Sequence, residues 1–153
     1  MDWDRPYFFG VGVLLVVAGA LAVFMGVVGN RLVVGPAEFG GPFAVWRGPV
    51  VAAAGAFMLR ATVDGISSRE DQALIFMGGL MIWIVGGTEL FAILLEAIPG
   101  GSGAWIATPS GFVAAISPPY PLAVVAVVLT LPAVRYTEKG IATVLKRIFG
   151  RNG

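Results

Sequence analysis

The sequence predicts an all-α membrane protein, a four-transmembrane-helix bundle with both termini inside, an apolar outer loop and a short basic amphipathic C-terminal helix. Three observations carry this prediction: the composition, the length of the apolar runs and the uneven placement of Lys and Arg. Of 153 residues, 58% are hydrophobic and 12% charged, with a mean hydropathy of +0.88. Soluble domains carry about 25% charged residues. So little charge leaves a large apolar surface uncovered in water, whereas lipid accepts it. The heavy use of Ala, Val and Gly resembles the composition of a GC-rich prokaryote or archaeon.

The first expected span is 7–29, uncharged and long enough to cross roughly 30 Å of hydrocarbon. Trp3, Tyr7, Phe8 and Phe9 suit an interfacial aromatic belt at its start, and Asn30-Arg31 ends it. The preceding residues include Asp2 and Asp4, unlike the basic start of a signal peptide, so the run reads as a retained span. The second, 43–62, is bracketed by Arg47 and Arg60 and contains Pro49. Long arginine stems reach toward the interface from either end. The third, 73–98, follows start signals at Ser67, Ser68, Glu70 and Asp71 and is stopped by Pro99-Gly100-Gly101. The fourth, 120–136, has Pro121 in its first turn, Pro132 near its end and Arg135 closing it.

Two connections face outward in this layout. Gly35-Pro36 and Gly40-Gly41-Pro42 predict a folded-back first loop, with Arg31 and Glu38 in it. The stretch 100–121 has no charged residue, and it is expected to lie along the interface, dip back into the protein or pack on a partner. In the tail, Ile141, Val144, Leu145, Ile148 and Phe149 fall at helical spacing among Lys139, Lys146, Arg147 and Arg151. That pattern over 138–149 fits an amphipathic helix on an anionic inner surface, or an ordinary stop-transfer flank.

Orientation follows from the basic residues. Arg5, Arg60, Arg69, Arg135, Lys139, Lys146, Arg147 and Arg151 fall on one side, and Arg31 and Arg47 on the other. The positive-inside rule places the termini in the cytoplasm of a cell-membrane protein.

Lipid gives helices no hydrophobic reason to associate, so close packing must hold them. Gly12, Gly19 and Gly26 stand at heptad spacing; Gly55 lies among alanines; Gly78-Gly79 and Gly86-Gly87 are about two turns apart. These faces serve packing within one bundle or contact with another subunit.

With no Cys and no His, the chain has no disulfides, no thiol or imidazole chemistry and no Cys/His metal ligands. No phosphate-binding or dinucleotide motif is present, and nothing calls for a cofactor or for nucleic acid. Small multidrug-resistance transporters also have four short spans but place a key glutamate in the first, where this chain has no ionisable residue.

One polar constellation stands out. Counting 1.5 Å per residue, Arg47 lies about 20 Å above Arg60, and Glu89 about 24 Å above Ala73. Both therefore reach similar depth on consecutive antiparallel helices and are expected to pair, because a lone charge at that depth is costly. Thr88 can add a hydroxyl beside Glu89, and Glu96 lies one heptad further on the same face. The pair either fixes how two helices dock or forms a proton- or ion-coupled site. The expected role is a non-catalytic membrane subunit or scaffold in a homo-oligomer or larger complex; the alternative is a small transporter or channel using Glu89 and Arg47.

Overall fold

The computed structural model describes residues 3–41, 43–63, 65–96, 110, 113 and 116–136, with the side chain of Glu96 left out. The chain is mostly helical. Its elements are α1 (Asp4–Val28), β1 (Arg31–Val34), β2 (Ala37–Gly40), α2 (Ala44–Val63), α3 (Arg69–Glu96), β3 (Tyr120–Pro121) and α4 (Leu122–Thr130). The last runs into a 3-10 helix, Leu131–Tyr136. Among the described residues, two helices, α1 and α3, are long and apolar enough to cross a membrane.

Helix ends follow local chemistry. Past the end of α1, Gly29 takes φ +73°. Its N–H bonds to Gly26 O at 3.3 Å and that of Asn30 to Met25 O at 3.0 Å, the paired closure that a left-handed residue permits. A reciprocal box opens α3: Asp71 N–H donates to Ser68 Oγ (3.0 Å), and Ser68 N–H donates to Asp71 Oδ2 (3.3 Å). This box starts the helix at Arg69, one turn earlier than the apolar run implied. Pro49 sits inside α2 with its ring exposed, so the helix loses one hydrogen bond on an outward face and continues. Pro132 likewise lacks an N–H to continue α4, and the chain tightens there into 3-10 geometry.

The all-α expectation missed a small sheet. β1 and β2 pair antiparallel, Arg31 opposite Gly40 and Val34 opposite Ala37, around a two-residue turn whose Gly35 has φ +57°. Four-residue strands are too short to show an alternating pattern, although their turn was legible. β3 joins β2 in parallel, and Tyr120 N–H donates to Pro36 O at 2.7 Å. Ala37 and Phe39 turn into the core, so the sheet covers one end of the bundle, here called the hairpin end. The other is the terminal end. Most of 100–115 and the whole tail 138–149 lie outside the described residues.

The helices pack as antiparallel neighbours, α1 on α2, α2 on α3 and α3 on α4. Phe8, Leu15, Val51, Met58, Ile75 and Ile82 form the fully buried centre. Between α1 and α2 the backbones nearly touch. A methyl group at Gly19 would stand 2.6 Å from Ala52 N and Gly48 O, and one at Gly55 would stand 2.7 Å from Gly12 O. Gly12 meets Leu59 and Gly55, and Gly26 meets Ala44 and Val45, so all three heptad glycines of α1 face α2. On α3, Gly78 faces Ala54 of α2, Gly79 faces Ala133, and Gly86 faces Ala123 and Val127. Gly87 meets nothing within 4 Å among the described residues.

Replacing Gly19 with Ala overpacks the α1–α2 contact and lowers unfolding stability by about 1–3 kcal/mol. Gly87→Ala leaves stability unchanged or slightly raised. Thermal unfolding of the two purified variants checks this contrast.

Candidate functional site

The polar groups collect at the two ends of the bundle. At the hairpin end, Arg47 stands in the first turn of α2, and Glu89 lies seven residues before the end of α3. Because the helices run antiparallel, both come to the same level. The Arg47 Nη1 group donates to Glu89 Oε1, and its Nη2 group donates to Gly40 O of β2 at 2.8 Å. One guanidinium therefore ties together α2, α3 and the hairpin. The side chains are only 18% and 12% exposed, which makes this a largely desolvated pair rather than a surface one. Glu89 Oε2 is buried and has no hydrogen-bond partner among the described residues.

Thr88 does not add its hydroxyl to Glu89. It is exposed, and its Oγ1 donates to Val85 O of its own helix at 2.8 Å, the local bond that a helical threonine makes most readily. The side chain of Glu96 and the basic residues Lys139, Lys146, Arg147 and Arg151 lie outside the described residues. Gly12, Gly19, Gly26, Gly55, Gly79 and Gly86 are spent on contacts within the chain. Nearby, Arg31 and Glu38 bridge the hairpin at 3.3 Å.

A groove of about 380 Å³ runs beside the pair, between α2 and α3. Phe43 and Trp46 stand exposed on one side; Val85, Ala92 and Ile93 form the apolar wall opposite, and Arg47 and Glu89 supply the polar part.

The terminal end holds interactions that sequence reading did not find. Arg5 donates through Nε to Thr62 O and through Nη2 to Val63 O, both at 3.0 Å, satisfying the last carbonyls of α2. Asp4 accepts from Arg135 (3.2 Å) and from the Tyr136 hydroxyl (3.1 Å), so the start of α1 is tied to the end of the 3-10 helix. The Tyr7 hydroxyl reaches Leu129 O at 2.7 Å. Deeper in, Trp83 Nε1 donates to Thr130 Oγ1 at 3.0 Å, joining α3 to α4. Backbone carbonyls as partners, and separations as long as 132 residues, leave no pattern to read in the sequence.

Chemically, the hairpin-end site offers one carboxylate, one guanidinium and a groove with an apolar wall. No cluster of three His, Cys, Asp or Glu able to hold a metal occurs among the described residues. No protein-family model, no curated protein and no solved structure matches the chain.

Arg47→Met leaves Glu89 buried beside no cation and destabilises the fold by roughly 3–5 kcal/mol. The double variant Arg47→Met/Glu89→Leu, which removes both charges, is less damaged than the single one. A double-mutant cycle read by denaturant unfolding measures the coupling.

Proposed function

We propose that this chain is a multi-pass membrane protein that crosses the bilayer four times with both termini in the cytoplasm, and that it acts as a non-catalytic subunit or scaffold. The observation that carries the membrane reading is the outward face of the helices. Val17 and Ile84 are 61% and 59% exposed at the middles of α1 and α3, and Val128 is 65% exposed midway along the stretch formed by α4 and the 3-10 helix. A core helix of a soluble protein is mostly buried, yet only 33% of the apolar window of α1 and 28% of that of α3 is buried. Charged groups, by contrast, gather toward the two ends.

The other two helices fit the same slab. At 20 residues, α2 is about 30 Å long, with Arg47 and Arg60 near its ends. Together, α4 and the 3-10 helix extend roughly 26 Å, the tighter coil gaining length per residue. Tyr120 and Tyr136 stand at their two limits, as interfacial aromatic residues do.

The scaffold reading rests on how Arg47 is used. Its contacts join three elements of this chain, which is the work of a docking pair. The small-residue faces of α1 and α2 are also consumed internally, so contact with another subunit would use the apolar outer surface. A second reading, a small ion- or proton-coupled transporter or channel using Glu89 and Arg47, draws on the unpartnered Glu89 Oε2. Flux in proteoliposomes separates the two: loss on Glu89→Gln in a folded protein supports transport, and crosslinked partners in native membranes support the scaffold.

The absence of cysteine makes topology directly measurable. A single cysteine at Val34, in the hairpin, reacts with an impermeant maleimide in intact cells. One at Ser67, between α2 and α3, reacts only after the membrane is opened. The reverse pattern, or equal labelling, contradicts the proposed layout.

A further inference from the structure

We propose that the groove between α2 and α3 at the hairpin end seats a phospholipid whose headgroup carries a primary ammonium. This inference rests on the membrane reading above and adds a ligand to it. Two exposed aromatic residues, Phe43 and Trp46, line one side of the groove, and its far wall is apolar at Val85 and Ile93. At about 380 Å³ it holds a headgroup and the upper part of a chain rather than a whole lipid.

The charges select the headgroup. Arg47 and Glu89 together are neutral, so a strongly anionic head gains little there. Among the described residues Glu89 nevertheless keeps a buried oxygen with no donor, and leaving such an acceptor unmatched is costly. Arg47 directs one N–H to Glu89 and one to Gly40 O, out of the five that a guanidinium carries. A head with an ammonium on one side and a phosphate on the other is the complement: the ammonium donates to the Glu89 carboxylate, and the phosphate accepts from the guanidinium. Seating the donor asks for a small rotation of the carboxyl group about its last torsion, which is broad for glutamate. A choline head carries the same charges but has no N–H to give, so it does not satisfy the carboxylate.

The test uses the full chain purified from membranes in detergent and exchanged into an equimolar mixture of phosphatidylethanolamine, phosphatidylcholine and phosphatidylglycerol with identical chains. Native mass spectrometry reads the lipid retained. The ethanolamine lipid is expected to exceed the choline lipid by about tenfold, the worth of one hydrogen bond to a charged group. Glu89→Gln removes that preference. Ile93→Trp, which fills the groove and leaves the ion pair, removes it as well. Equal retention of ethanolamine and choline lipids by the unmodified protein overturns the proposal, as does a preference that survives Ile93→Trp or equal retention of the glycerol lipid. Failure of the membrane reading would show earlier and differently, as recovery of the chain in the soluble fraction without detergent.

Discussion

Val17, Ile84 and Val128 lie exposed midway along α1, along α3 and along the stretch formed by α4 and the 3-10 helix. On the membrane reading proposed above, the surrounding solvent dictates how the rest must be held. In water, burial of these side chains would drive association. In hydrocarbon that drive vanishes, since the tails are as apolar as the side chains. What remains is contact distance and the satisfaction of polar groups, and the chain invests in both. Gly19 lies on Gly48 and Ala52, and Gly55 on Gly12, so α1 and α2 meet backbone to backbone.

Polar groups then finish what close packing begins. Arg47 joins α2 to α3 and to the hairpin. Arg5 closes the end of α2, while Asp4 ties α1 to the 3-10 helix through Arg135 and Tyr136. Trp83 and Thr130 join α3 to α4 further in, where the shared hydroxyl also bonds back to Ala126 O and Val127 O. Each tie spans elements that the small-residue contacts alone would leave free to slide. The hairpin-end tie differs in one respect. Among the described residues it leaves one carboxylate oxygen unmatched beside a groove, which is why the proposed ligand is placed there.

The helices were legible because long, mostly apolar runs need no long-range information, and Gly29 and the Ser68–Asp71 box mark ends by local chemistry. Arg47 and Glu89 were legible as a pair because the rise per residue fixes depth on antiparallel neighbours. The hairpin was half legible: Gly35-Pro36 announced a turn, but four residues on each side cannot establish a period of two. Thr88 was misread because its hydroxyl had a nearer acceptor in its own helix. The roles of Arg5 and Asp4 were illegible, since their partners lie 57 to 132 residues away and two of them are backbone carbonyls.

The membrane setting is tested most directly at the outward faces themselves. Single spin labels at positions 17, 84 and 128, in the reconstituted protein, report whether oxygen or a water-soluble nickel complex reaches each site. Oxygen concentrates in hydrocarbon and the nickel complex is excluded from it, so all three labels should collide with oxygen and hardly with nickel. Strong nickel collisions at these positions would place water where the proposed architecture needs lipid.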